Sequence, residues 1–147
     1  IAKEHNLEVV SYSELRELSF GTWEGMSVSK VESTYPGQMK ERMRSVATFQ
    51  ADGGETYPQL QARVIPRFEE IVARHTNDQI AMVCHGGVNR VILGHLLGIP
   101  IDKIFRVHQD YAALNIIQFY DQEPVVEYIG NAELFSSQKD EIKTAIQ

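Results

Sequence analysis

Several kinds of residue and segment are scarce in this 147-residue chain, and each shortage excludes a class of protein. With a single cysteine, the chain can form no internal disulfide, which agrees with a reducing cytoplasm. No apolar run approaches the roughly 20 residues that span a bilayer, and the first residues lack the apolar core of a secretory signal. We therefore expect a cytoplasmic protein with no membrane partner.

Positive charge is also scarce. Lys and Arg number 14 against 20 Asp and Glu, which gives a net charge of −6 without any basic cluster. Nucleic acid is therefore not expected as a partner. No metal-ligand spacing is present either, because His85 and His95 are too far apart in helical phase to chelate one ion. We therefore expect no metal or cofactor. Since the sequence also contains no repeats or linkers, residues 1–147 are predicted to form a single domain.

The most informative segment begins with five unbroken apolar residues, Ile80–Cys84, followed by His85, Gly86, Gly87 and a helical pattern that ends near Leu97. An unbroken apolar run is typical of a strand buried on both faces. Two glycines allow a tight turn into a helix, whose first N–H groups have no partner inside the helix. Such turns bind anions, usually phosphate. The segment thus predicts a phosphate site with His85 at its edge.

The rest of the pattern predicts further helices and a terminal hairpin. Helices are expected over 28–35, 38–50 and 57–75, strands over 7–10, 113–120 and 125–129, and a polar peripheral tail from Gly130. The long helix has an apolar face at helical spacing, formed by Leu60, Val64, Phe68, Ile71 and Val72. A buried parallel strand among helices, with an antiparallel hairpin at the edge, predicts an α/β sandwich with a mixed sheet.

Three blocks of sequence together resemble the histidine phosphatase superfamily, also called phosphoglycerate mutase-like. They are LRELSFGTWEG at 15–25, DGGET at 52–56 and VCHGG at 83–87, in the order and at the spacing of that family. The resemblance covers about residues 13–130. It implies a three-layer α/β/α sandwich with a mixed, mostly parallel sheet. The α-ribazole phosphatase and broad-specificity phosphatase branches look most similar.

The resemblance also implies roles for single residues. Glu17 matches the family's proton donor, and His85 matches its second histidine. The family's Arg-His-Gly segment, whose histidine becomes phosphorylated, is not in this sequence, and Arg74–Thr76 is better explained as a basic helix end. We therefore expect the chain to be the C-terminal part of a histidine phosphatase domain, inactive by itself. Glu55 is interpreted as structural, favouring the start of its helix.

The implied reaction is hydrolysis of a small phosphate ester through a phosphohistidine. A protonated His85 and the N–H groups of Gly86 and Gly87 would stabilise the oxygens of the transferring phosphoryl group. Glu17 would give a proton to the leaving alkoxide and later take one from the attacking water. Arg16 is a further candidate for binding phosphate. No metal is needed in this scheme.

Three alternatives stay open. Cys84 and Arg90 have the C-x5-R spacing of cysteine-dependent phosphatases, although those loops have the order His-Cys and a hydroxyl residue where Val91 stands here. A mutase-type phosphoryl transfer is disfavoured because the short stretch between Gly25 and Gly53 leaves a less covered site, which admits water. The third alternative is a catalytically inactive binding module. The substrate and the oligomeric state, including a homo-oligomer, are left open.

Overall fold

The computed structural model describes residues 2–121 and 123–130 of the chain, so the predicted tail beyond Gly130 lies outside the described residues. Its α-helices are α1 (Val28–Thr34), α2 (Gln38–Arg44), α3 (Tyr57–Arg74) and α4 (Gly86–Leu96), and its strands are β1 (Leu114–Tyr120) and β2 (Glu123–Gly130). Short 3-10 turns cover Ala2–His5, Ser13–Leu15, Gly21–Trp23 and Ile101–Arg106.

Helix α3 forms the centre of the core. It begins after Thr56, whose side chain accepts a hydrogen bond from the Gln59 N–H at 3.3 Å, while the Gln59 side chain accepts one from the Thr56 N–H at 2.7 Å. This capping box fixes the start of the helix. The predicted apolar face is confirmed: Leu60 and Val64 are fully buried, and Phe68 and Ile71 nearly so. They pack against the buried side of α4.

Helix α4 is fixed from its far end by the turn Ile101–Arg106. A side chain at Gly94 would place its Cβ only 2.3 Å from the Cδ1 of Ile104, so the turn packs closely on α4 at this glycine and a larger residue would displace the Ile104 side chain. Val88 and Val91, which face α3, have no exposed surface. The first turn of α4 is thereby held at one position relative to the core.

The region between residues 26 and 50 packs as a second, smaller cluster around Trp23. Helix α1 begins directly after its N-cap residue Ser27, whose side chain accepts a bond from the Lys30 N–H at 3.2 Å. The second predicted helix ends at Arg44 rather than at 50. Val46 packs into the main core and the Phe49 ring lies 5.3 Å from the Trp23 ring, so the chain must turn between them.

Residues 79–85 differ most from the sequence prediction, because they form no strand in the described part of the chain. Ile80 is 42% exposed and Val83 is 84% exposed, so the prediction of a strand buried on both faces is wrong here. A strand needs a neighbour to receive its hydrogen bonds, and none of the described segments takes that position. The predicted strand over 7–10 is likewise not formed, and Val9 is 71% exposed.

The predicted terminal hairpin is confirmed. Strands β1 and β2 pair antiparallel from Leu114 opposite Gly130 to Tyr120 opposite Glu123, with an irregularity in register at Ile116 and Ile117. The sheet of the described residues therefore has two antiparallel strands, not the mostly parallel order expected from the resemblance. Helices together with this small sheet agree with the α/β class. Of the helices described, none combines the length and the apolar character needed to cross a bilayer.

Candidate active site

Glu17 lies at the N-terminus of helix α4. Its Oε2 accepts a hydrogen bond from the Gly87 N–H at 2.9 Å, and its Oε1 accepts one from the Leu18 N–H at 2.7 Å. A helix N-terminus favours negative charge because its N–H groups and its dipole both point toward the anion. Glu17, predicted to be catalytic, and Gly87, predicted to bind phosphate, are 70 positions apart in the sequence and are therefore in direct contact in the structure.

Gly87 is required by this contact. A Cβ at this position would lie 2.3 Å from Oε1 of Glu17, far inside van der Waals distance. The glycine therefore lets the carboxylate reach the backbone of the first helical turn. The sequence explained Gly87 through a tight turn, whereas in the structure it is needed because a side chain and a backbone approach so closely.

His85 occupies the N-cap position of α4 with an extended backbone, φ −116° and ψ 169°. Its carbonyl accepts a bond from the Asn89 N–H at 2.9 Å, which closes the first turn. The imidazole is exposed and has no hydrogen-bond or ionic partner in residues 2–121 and 123–130. The structure thus brings Glu17, His85, Gly86 and Gly87 together at one helix terminus.

The LRELSFGTWEG and DGGET blocks are joined by backbone hydrogen bonds. The Thr22 N–H donates to the Asp52 carbonyl and the Glu55 N–H donates to the Ser19 carbonyl, both at 2.9 Å. Gly21, with φ +52°, fits against this loop because a Cβ there would lie 2.0 Å from the Asp52 oxygen. All three sequence blocks therefore meet in space, the first in contact with each of the other two.

Arg63 on α3 holds the loop that carries Glu17, and sequence reasoning missed it. Its Nε and one terminal nitrogen donate to the two oxygens of Glu55, each at 2.8 Å, which makes the pair bidentate. The Arg63 side chain is 14% exposed and the Glu55 side chain 17%. The same guanidinium donates to the carbonyl oxygens of Glu14, Arg16 and Glu17, at 2.6, 2.8 and 3.0 Å. Arg63 thereby fixes the backbone on both sides of position 16.

Glu55 has the structural role predicted for it, through different contacts. Besides Arg63, it accepts a bond from the Ser19 N–H at 3.0 Å. The hydrogen bond from Arg63 lowers the pKa of Glu55, although burial opposes the shift. The signal that could have revealed the pair is the position of Arg63, beside Val64 and three residues after Leu60 on the apolar face of α3.

Replacing Arg63 with methionine should lower the free energy of unfolding by about 3 kcal/mol, since the largely buried Glu55 would keep only the exposed guanidinium of Arg16, at 3.5 Å, as a cationic partner. Urea denaturation followed by circular dichroism measures this. Because the pKa of Glu55 is lowered in the folded state, the contribution is complete above the ordinary carboxyl pKa and is lost as pH falls through the lowered value. The difference between wild type and variant should therefore shrink on acidification.

Arg74→Met is the matched control on the same helix. Its side chain is 61% exposed and pairs with Glu70 one turn away, so this change should cost less than about 1 kcal/mol. Equal losses from the two substitutions would show that Arg63 does not organise the loop.

Arg16 is not joined to the other predicted site residues by any contact in the described part of the chain. Its guanidinium, 59% exposed at the side chain, lies 3.5 Å from Glu55 and bonds the Ser13 carbonyl at 3.3 Å. Phosphate binding by Arg16 stays a prediction. No group of three His, Cys, Asp or Glu side chains in residues 2–121 and 123–130 could hold a metal ion.

The cysteine mechanism finds no support in the geometry. Burial raises the pKa of Cys84, and the nearby charge of Glu17 raises it further, so the thiol is favoured over the reactive thiolate. The guanidinium of Arg90 is bound to the carbonyl oxygens of Val107 and Gln109, at 2.9 and 3.4 Å. Two of its nitrogens are therefore engaged by backbone carbonyl oxygens.

Cys84→Ser should accordingly leave at least about half of the activity of the complete protein, since it replaces one small side chain with another and removes only the sulfur. Initial rates on p-nitrophenyl phosphate before and after iodoacetamide treatment provide the measurement. Loss of all activity with an unchanged melting temperature would restore the cysteine mechanism.

The chain is similar in sequence to proteins that are named as phosphatases. It is 29% identical over 126 residues to phosphoserine phosphatase 1 of Hydrogenobacter thermophilus, which covers 86% of this chain and 60% of that protein. It is 30% identical over 96 residues to glucosyl-3-phosphoglycerate phosphatase of Mycolicibacterium vanbaalenii, covering 60% of this chain and 42% of that protein. The chain thus spans about 60% or less of the length of these two relatives.

Solved structures match the fold. YhfR of Bacillus stearothermophilus gives a TM-score of 0.75 at 20% identity, covering 86% of this chain and 63% of that one. The α-ribazole phosphatase of Shigella flexneri gives 0.74 at 20% identity, covering 88% and 64%. The sequence model of the histidine phosphatase superfamily (branch 1) matches residues 1–132 of this chain. The chain therefore belongs to the histidine phosphatase superfamily.

Proposed function

We propose that this chain is the C-terminal part of a phosphatase that hydrolyses a small phosphate ester through a phosphohistidine. The observation that carries the proposal is the contact of the Glu17 carboxylate with the Gly87 N–H, beside the free imidazole of His85. A carboxylate, a histidine and a helix N-terminus at one point are suited to bind a phosphoryl group and to move a proton at its edge.

The phosphoryl group is proposed to bind at the first turn of α4. There the Gly86 and Gly87 N–H groups and a protonated His85 would stabilise its oxygens. The Gly87 N–H is occupied by Glu17 in the free structure. A phosphoryl oxygen that takes this donor would displace the Glu17 carboxylate from it, and the carboxyl group would then lie beside the bound ester.

Two displacements complete the proposed reaction. In the first, a histidine nitrogen located upstream of Ile1 forms a bond to phosphorus as the bond to the ester oxygen breaks, and that oxygen takes the proton of Glu17. In the second, a water oxygen bonds to phosphorus as the N–P bond breaks, and Glu17 takes the proton of the water. Inorganic phosphate leaves and the carboxyl group is protonated again, without a metal ion in either step.

The unpaired segments support a larger sheet in the complete protein. Residues 7–10 and 79–85 both form no strand, and Val9, Val10 and Val83 are 71%, 66% and 84% exposed. A strand upstream of Ile1 would provide the missing hydrogen-bond partners and cover these side chains. We propose that the complete domain is then the three-layer α/β/α sandwich with a mostly parallel sheet, located in the cytoplasm.

The relatives favour hydrolysis of an organic phosphate ester. Phosphoserine and glucosyl-3-phosphoglycerate, the compounds named for the two relatives above, are both small phosphorylated metabolites. We propose a substrate of this size for the present protein. No contact in the described residues favours the mutase reaction or an inactive binding module.

The 147-residue chain should release no phosphate from p-nitrophenyl phosphate, whereas the chain extended upstream to include an Arg-His-Gly segment should release it in the presence of EDTA. A malachite-green assay on both proteins measures this. The control is the extended protein with that histidine changed to alanine. Turnover by the 147-residue chain itself, or equal turnover by the control, would contradict the proposed location of the nucleophile.

A further inference from the structure

Arg42 on α2 is held near the site by three aromatic rings. The centre of its guanidinium lies 4.9 Å from the centroid of Phe105, 5.5 Å from Phe20 and 5.8 Å from Tyr57. One of its five N–H groups donates to the Tyr57 hydroxyl at 3.4 Å. The rings stabilise the cation and limit its orientations while leaving most of its donors without a protein acceptor.

The guanidinium lacks a counter-charge. Arg42 pairs with no carboxylate in residues 2–121 and 123–130, whereas Arg63, on the adjacent helix, is paired with Glu55. The Tyr57 hydroxyl is neutral, because burial raises the pKa of Tyr57 above its ordinary value. A half-buried, oriented guanidinium without an acidic partner is suited to bind a planar carboxylate through two parallel hydrogen bonds.

Arg42 also faces the loop of the proposed acid. It lines a small cleft together with Leu18, Ser19 and Phe20, which directly follow Glu17, and with Tyr57 and Glu55. The charge of Glu55 in this cleft is balanced by its bidentate pair with Arg63. Three residues of chain span at most about 11 Å, so the ring of Phe20 under the guanidinium cannot be far from Glu17. The charge of Glu17 likewise acts on the Tyr57 hydroxyl that Arg42 contacts. Arg42 and the residues that directly follow Glu17 therefore line the same cleft.

We propose that Arg42 binds a carboxylate of the substrate, so that the preferred substrates are phosphate monoesters that also carry a carboxylate. This inference rests on the proposed function. The phosphoryl group would lie at the first turn of α4 and the carboxylate under Arg42. The neutral Tyr57 hydroxyl between them would orient the guanidinium. Arg42 then determines specificity and takes no part in the transfer of the phosphoryl group.

The test compares two pairs of esters that differ by one carboxylate: phosphoserine with phosphoethanolamine, and 3-phosphoglycerate with glycerol 3-phosphate. The complete protein should prefer the carboxylate-bearing member of at least one pair by about 10-fold or more in kcat/KM. Arg42→Met should remove that preference, raising KM for the acidic ester about 10- to 100-fold, the scale of hydrogen bonds to a charged group. The rate on the neutral ester should not change.

Arg44→Met is the matched control, since Arg44 lies on the same helix with a side chain that is 74% exposed. It should leave the preference intact. Arg42→Lys, which keeps the charge without the planar fork, should restore part of it. Two results would overturn the inference while the phosphatase activity stands. One is a wild-type protein that shows no preference in either pair; the other is an Arg42→Met protein that loses kcat/KM equally on acidic and neutral esters. Absence of turnover on every ester would remove the proposed function, and this inference with it.

Discussion

Glu17→Gln should reduce kcat on alkyl phosphates by about 10²- to 10⁴-fold, because the amide cannot give a proton to the leaving oxygen. The loss on p-nitrophenyl phosphate should be far smaller, since nitrophenolate leaves without protonation. Steady-state rates of the complete protein on both substrates give the ratio. Because the shape of the side chain is kept, the single amide oxygen can still accept the bond from the Gly87 N–H that positions it, although the bond from the Leu18 N–H is lost.

The matched control is Glu24→Gln in the same loop. Glu24 is exposed and accepts a bond from the Phe20 N–H at 2.7 Å, which an amide can also accept. It should change neither rate. If Glu17→Gln lowered both rates equally, or lowered the melting temperature far more than Glu24→Gln, the role of Glu17 would be structural instead.

His85→Ala should reduce kcat by about 10²- to 10³-fold on alkyl and nitrophenyl phosphates alike. The reason for equal losses is that His85 is proposed to stabilise the phosphoryl oxygens, which both substrates share, and not the leaving group. The exposed imidazole has no structural partner in the described residues, so the melting temperature should stay within a few degrees.

His95→Ala tests whether any histidine on this helix matters. His95 lies near the other end of α4 and pairs with Glu69 at 3.2 Å, at the surface. If His95→Ala keeps full activity and His85→Ala loses it, the histidine that contributes to kcat is the one at the N-terminus of the helix. A His85→Ala protein with wild-type kcat would exclude His85 from the reaction.

The part of the site that depends on short motifs could be predicted from the sequence. His85, Gly86 and Gly87 are consecutive, and the change from an apolar run to two glycines and a helical pattern indicates a turn at a helix N-terminus. The resemblance of its block pointed to Glu17 as the proton donor; the structure shows its contact with Gly87, and the role stays a prediction. Arg63 was missed because a single arginine on a mostly apolar helix face is read as an exposed residue unless its partner is known.

The sheet could be predicted only in part. The strands of the hairpin are neighbours in sequence and carry their own partner, so β1 and β2 were found with their pairing. Residues 80–84 have the composition of a buried strand, yet composition does not supply a neighbour, and Val83 stays 84% exposed. The end of α2 was also misplaced, because Val46 and Phe49 pack into different clusters that periodicity alone cannot separate.

The hydrogen bonds of Arg63 have a consequence for the order of folding. They join α3 to the carbonyl oxygens of Glu14, Arg16 and Glu17 across 49, 47 and 46 positions of chain. Contacts so distant in sequence close large loops, and the entropy lost on closure delays them relative to the formation of a local helix. We therefore expect the Glu17 loop to become ordered only after α3 has formed and docked, so that the proposed acid is one of the last parts of the domain to reach its native position.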